Sequence, residues 1–99
     1  MIIHNITYCV DKALAPALLE WLRGTYIPRA EAEGLEVQAL ARVISNADPA
    51  ADSYALQLLA QGPRDVKRWA DGTGAALDSE MTARWGERCL NFATNLQVL

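Results

Sequence analysis

"WLRGTYIPRAEAEGL", residues 21–35, decides how the first half of the chain is read. It continues an apolar pattern, Leu14, Leu18, Trp21, Leu22 and Thr25, with helical spacing. Yet it carries Gly24 and Pro28 at i and i+4. A proline inside a helix removes one backbone hydrogen bond and presses on the carbonyl four residues earlier, here that of Gly24. Glycine lacks a Cβ, so the backbone can tilt there at lower steric cost. Two readings follow. Either one long helix bends at this pair to follow a curved sheet, or the helix ends near Tyr26 and a second turn begins at Pro28. Gly34 then caps the segment.

Outward from this segment the chain alternates between strand and helix patterns. Residues 2–10, "IIHNITYCV", are rich in β-branched and aromatic types, as a strand should be. Ile2, His4, Ile6, Tyr8 and Val10 share one face; Ile3, Asn5, Thr7 and Cys9 share the other. The bulkier even face is assigned to the core. Asp11 is placed as N-cap of the first helix, with Pro16 near its first turn, where a missing N–H costs little. Residues 35–45, "LEVQALARVIS", predict a second strand whose parity the pattern leaves open, and "NADPAAD", 46–52, is turn chemistry. "SYALQLLAQ", 53–61, predicts a third strand in a hairpin with the second.

Gly62-Pro63 opens the second helix, with Val66, Trp69, Ala70, Thr73, Leu77, Met81 and Trp85 on one face. "DGTG", 71–74, weakens its middle and is where it would split. Gly86 closes it. "RCLNFATNLQVL", 88–99, predicts the last strand, with Leu90, Phe92, Leu96 and Val98 assigned to the helix-covered face and Thr94 interrupting them.

The order is β-α-β-β-α-β. Right-handed crossovers put both helices on one side of an antiparallel sheet. The expected fold is therefore α+β and ferredoxin-like, with strand order 4-1-3-2, in a single domain over residues 1–99.

Composition narrows the function classes. Of 99 residues, 52% are hydrophobic and 21% charged, with a net charge of -3, which fits a packed globular chain. An acidic chain without a basic field argues against nucleic acid as partner; the short "RDVKR" at 64–68 reads as a solvated helix face. Signal-peptide features and long apolar runs are missing, so no membrane association and a cytoplasmic location are expected. Cys9 and Cys89 have no CxxC spacing, and reduced thiols are expected. They are expected close together on the odd face, where the end of strand 1 meets the start of strand 4.

The sheet face away from the helices is the candidate functional surface. Strand 1 offers it Asn5, Thr7 and Cys9, strand 3 Ala55, Gln57 and Leu59, and strand 4 is assigned to place Cys89, Asn91, Ala93 and Asn95 there. Such a surface is too amide-rich for a dry core and too poor in Lys and Glu for open solvent. A second copy of the chain, related by a two-fold axis, would cover it, around a small wet cavity. Asn5, Thr7, Gln57 and Asn91 are the candidate ligand-binding residues, joined by Arg42 if strand 2 turns its guanidinium toward an anion on that face.

"MIIHNITYCVD", "EWLRGTYIP", "SYALQLLA" and "RWGERCLNF" together resemble a bacterial family of short proteins of unknown function that typically begin MIIYNVT. In that family a Trp-rich helix leads into a His-Ile-Pro step and an Arg-Phe-Gly element precedes the last strand. The resemblance covers nearly the whole chain and rests on structural motifs. It implies a layout similar to the dimeric α+β barrel superfamily, in which two sheets face each other across a two-fold. Here Tyr26 stands where the family usually has His, and His4 where it usually has Tyr, so no role carried by that histidine transfers. The superfamily includes cofactor-free monooxygenases and haem-degrading enzymes. Asn5 and Trp69 sit on the elements that the haem enzymes use, but no histidine follows Trp69, so haem is not expected.

His4 is the single histidine and falls on the core face, where a hydrogen-bonded structural role is the first reading. No partner that would orient it as a base is evident in the sequence. One histidine without carboxylates at ligand spacing makes no metal site, and no cofactor is expected. The tryptophans at 21, 69 and 85 read as core. The leading expectation is a small homodimeric domain with a ligand-binding or structural role. The alternatives are a cofactor-independent enzyme of monooxygenase or isomerase type, with its cleft on the open face, and a protein-interaction module docking by strand 2 or the bent helix.

Overall fold

The computed structural model describes residues 1–44 and 48–99. Strand β1 (Ile2–Asp11) leads through a 3-10 turn (Lys12–Leu14) into helix α1 (Ala15–Trp21), a π-helical turn (Leu22–Tyr26) and helix α2 (Ile27–Ala32). Strands β2 (Glu36–Arg42) and β3 (Ala51–Ala60) follow, then helices α3 (Pro63–Asp71) and α4 (Thr73–Trp85), a 3-10 turn (Gly86–Arg88) and strand β4 (Cys89–Gln97). The four strands form one antiparallel sheet in the order β2-β3-β1-β4. This is the expected order read from the opposite edge.

Period-2 alternation in β1 sends His4, Ile6, Tyr8 and Val10 into the core. His4, Ile6 and Tyr8 stand beside Leu58, Leu56 and Tyr54 of β3 on the same face. Leu18, Trp21, Leu22, Tyr26 and Ala30 cover one half of that layer, and Val66, Trp69, Leu77 and Met81 the other.

The Gly24–Pro28 segment neither ends nor simply bends. Its backbone stays right-handed, with Leu22 at φ −61°, ψ −47° and Ile27 at φ −60°, ψ −48°, but it widens. The Ile27 N–H reaches the Leu22 carbonyl, five residues back. The cause lies in the packing. Leu18, Leu22, Tyr26 and Ala30 are all at most 4% exposed, and each follows the last by four residues. In an α-helix each such step overshoots a full turn by about 40°, so the contact stripe would swing by about 120° over three steps. One wide turn takes up that drift and keeps all four on the sheet. Gly24 itself is not required: a Cβ there would meet no atom within 4 Å. The space expected to demand a glycine there is open.

Gly34, at φ +88°, closes α2 as expected. Its N–H bonds to Glu31 O and the Leu35 N–H to Ala30 O, at 3.0 and 3.1 Å, the hydrogen-bond pattern of a Schellman cap. Asp11 makes no side-chain cap; its carboxylate accepts from Arg88 Nε at 2.9 Å instead. The second helix splits where "DGTG" predicted, at Gly72 (φ −108°, ψ −111°). Of the turn read at 46–52, Asn46 and Ala47 lie outside the described residues, as does Ser45 at the end of the expected strand 2. The Asp48 carboxylate accepts from the Ala50 N–H at 2.8 Å, and β3 begins at Ala51.

Two strand parities depart from expectation. A register shift between Val37 and Ala39 fixes that of β2: Leu40 pairs with Leu56 and Arg42 with Tyr54, so Arg42 lies on the helix side. In β4 the assignment reverses. Cys89, Asn91, Ala93 and Asn95 pair with Val10, Tyr8, Ile6 and His4 and so face the helices. Leu90, Phe92 and Leu96 emerge on the open face, 58%, 62% and 45% exposed. Gly86, at φ +53°, starts the turn that brings Cys89 in facing the core. Cys9 and Cys89 are thus on neighbouring rungs, as Cys9 pairs with Leu90 and Cys89 with Val10, but on opposite faces. Cys9 is exposed and Cys89 buried, both as free thiols.

Candidate functional site

A cleft of about 660 Å³ opens on the helix side, between α4 and the β1–β4 half of the sheet. Its origin is legible in side-chain size. Across from β1, β4 presents Asn91 and Ala93, and α4 presents Gly74, Ala75, Asp78, Ser79, Thr82 and Ala83. These residues are too small to close the gap that the large side chains of α1 and β3 close elsewhere. His4, Ile6, Tyr26 and Trp69 form its inner walls.

His4, 7% exposed, is the one buried polar or charged residue among those described. Its Nδ1 lies 2.7 Å from Asn95 Oδ1 across the β1–β4 pair. Since the amide oxygen only accepts, Nδ1 carries the proton, and in the neutral ring Nε2 is left as the acceptor. The expected hydrogen-bonded role is therefore correct, and the orienting partner missed in the sequence is Asn95, from the opposite end of the chain.

Tyr26 is the second polar group in the wall. Its oxygen accepts from Trp69 Nε1–H at 3.2 Å, and the two rings meet edge to face at 5.5 Å and 76°. Burial, opposed by the Trp69 hydrogen bond and reinforced by the Asp78 charge, pushes the Tyr26 hydroxyl up to about 12. Burial also raises Tyr8, with neighbouring Tyr26 and then the Asp78 charge adding to this. Tyr26 thus receives the Trp69 N–H and keeps its own O–H. Behind it, Trp21 packs against Tyr26 at 5.8 Å and against Trp85 at 5.9 Å. Gly74 is needed for this seat: a Cβ there would come within 2.7 Å of Trp69 O and 2.8 Å of its Nε1. The three tryptophans do pack as expected, and Trp69 in addition lines the cleft.

At the mouth, Asn91 Nδ2–H donates to Asp78 Oδ1 at 2.7 Å. Below it, burial pushes the Cys89 thiol up to about 11, with smaller contributions from Cys9 and Asp78. Its Sγ lies 3.7 Å from Met81 Sδ. Among the described residues no group of three His, Cys, Asp or Glu side chains is placed to hold a metal ion, and no helix is long and apolar enough to cross a membrane.

The structure separates the five residues selected from sequence. Asn5, Thr7 and Gln57 do share the open face: Asn5 pairs with Gln57, and its Nδ2–H donates to Thr7 Oγ1 at 3.3 Å. Asn91 belongs to the opposite face, in the helix-side cleft. Arg42 is at the far end of the sheet, held by Asp52 at 3.1 Å. His4 of β1 and Tyr26 of the π-helical turn line one cleft.

The raised Tyr26 hydroxyl makes stability fall in alkali. Its unfolded value is 10.0 and its folded value about 12, so its contribution is full below pH 10 and is lost as pH rises from 10 toward 12. Urea unfolding of the native chain should weaken across that window. Tyr26→Phe, which leaves the Trp69 indole without its acceptor, should cost about 1–3 kcal/mol at pH 7 and flatten the alkaline decline. An unchanged alkaline slope would contradict the assignment.

No curated protein matches the sequence. Among solved structures, one titled "De novo designed protein Foldit4" is similar over 99% of this chain and 98% of that one, with a TM-score of 0.66 and 9% identity. At that identity the likeness is one of fold. As the sequence motifs imply, a family profile matches residues 1–99, and the chain belongs to that family, described as a domain of unknown function (DUF4286).

Proposed function

We propose that this chain is a small-molecule-binding domain whose ligand sits in the cleft between α4 and the β1–β4 edge. One observation carries the reading: a cavity of ligand size lined by convergent polar groups, His4, Tyr26, Asp78 and Asn91, on apolar walls. This site replaces the open face as the place for a ligand. Enzymatic proton transfer in the same cleft is a second reading, favoured by His4, which lines the cleft and whose Nδ1 is oriented by Asn95. In nitrogen–proton correlation spectra, a fragment set covering all charge types should contain binders that shift the Trp69 indole, Gly74 and Asn91 side-chain signals together. A set that leaves all three unmoved would overturn the proposal.

The open face supports a second element of the proposal, pairing with a copy of the same chain in the manner of a dimeric α+β barrel. Asn5, Thr7, Gln57 and Thr94 lie at its centre, Leu90, Phe92 and Leu96 flank them, and the charged residues on it, Asp11 and Glu36, stand at its margins. Contiguous exposed apolar side chains of this kind mark interaction surfaces, and a two-fold copy offers the same composition in return. Light scattering at micromolar concentration should give twice 10.8 kDa for the native chain, and Phe92→Glu should reduce it to the monomer mass. A native particle of 10.8 kDa would eliminate the dimer and leave the cleft untouched.

A further inference from the structure

The charge pattern of the cleft says which ligands it would take. Asp78 is the one formally charged side chain in its lining, which contains no Lys or Arg. Elsewhere Asp11, Asp52, Asp65, Asp71 and Glu80 each sit within 3.1 Å of an Arg or Lys. Asp78 instead receives a neutral amide, Asn91 Nδ2–H, and no cation among the described residues. Its field is felt inward, since it raises Tyr8, Tyr26 and Cys89 alike. Further groups able to accept line the same space: the hydroxyls of Ser79 and Thr82. Trp69 and Tyr26 supply aromatic surface, which attracts cations.

Building on the cleft as a binding site, we infer that it selects small organic ammonium compounds with an apolar or aromatic body, the ammonium group placed against Asp78 and the body against Trp69. An anionic ligand would meet the Asp78 carboxylate with no basic group to balance it. Because Asp78 stands at the exposed mouth, the discrimination is moderate and sensitive to salt.

The test uses three molecules of one shape, phenethylamine, phenethyl alcohol and phenylacetate, titrated into the full chain while the Trp69 indole signal is followed. Phenethylamine should bind at least about five-fold more tightly than phenylacetate at low salt, with the alcohol between them. The preference should shrink in high salt and vanish in Asp78→Asn, while Asp65→Asn on α3 leaves it intact. Equal or tighter binding of phenylacetate, or a preference that survives both high salt and Asp78→Asn, would overturn the inference and leave the cleft as a binding site of other specificity. Silence from all three molecules also overturns it, and the binding reading falls with it only if the wider fragment set is silent too.

Discussion

The hydrogen bond from Trp69 Nε1 to the Tyr26 oxygen joins the two helical halves of this fold. Each half is interrupted, the first by its π-helical turn and the second by Gly72, so neither lies on the sheet as one straight rod. What aligns them is the chain of edge-to-face contacts from half-buried Trp85 through Trp21 and Tyr26 to Trp69. Each such pair contributes about 0.5–1.5 kcal/mol beyond its burial, and the Trp69 bond satisfies an indole N–H that would otherwise be orphaned. The Thr73 hydroxyl, donating to Glu33, ties the end of α2 to the start of α4. Tyr26 reaches Trp69 only because the wide turn keeps it on the stripe of Leu18, Leu22 and Ala30.

The cleft is the other side of the same arrangement. Aromatic residues fill the space between the helices, while α4 and β4 border the cleft with mostly small side chains, glycine, alanine, serine and asparagine among them. The core therefore thins toward the β4 edge and ends in a polar hollow. Tyr26 and Trp69 belong to both regions, packed on one side and bordering the cavity on the other. A change at either residue is thus felt in stability and in the shape of the site. The cavity wall and the helix alignment share one contact.

Much of the architecture was legible in sequence because alternation and turn chemistry agreed. β1 showed its core face through His4, Ile6, Tyr8 and Val10, Gly34 and Gly72 marked real boundaries, and the connection order left one strand order. The parity of β4 was misread for a physical reason. Alternation separates two faces but does not say which one is covered; apolarity decides that only if the open face is polar. Here Leu90, Phe92 and Leu96 lie on the uncovered side, so the apolar row pointed the wrong way and took Asn91 and Cys89 with it. The shift at Val37–Ala39 hid the side on which Arg42 lies. Asn95 could not be named as the partner of His4 because the contact spans the length of the chain and needed the correct β4 register. Tyr26 falls outside the helical stripe read from sequence, which runs through Thr25 instead. Its role appears only once Trp69 is placed beside it.

The claim beneath the rest is that packing, not Gly24, widens the first helix and holds Tyr26 in register. Scalar couplings transmitted across backbone hydrogen bonds identify the acceptor of each N–H by nuclear magnetic resonance. The account predicts a coupling from the Ile27 nitrogen to the Leu22 carbonyl carbon, and its persistence in Gly24→Ala. A coupling to the Arg23 carbonyl instead, the ordinary α-helical partner, would contradict it.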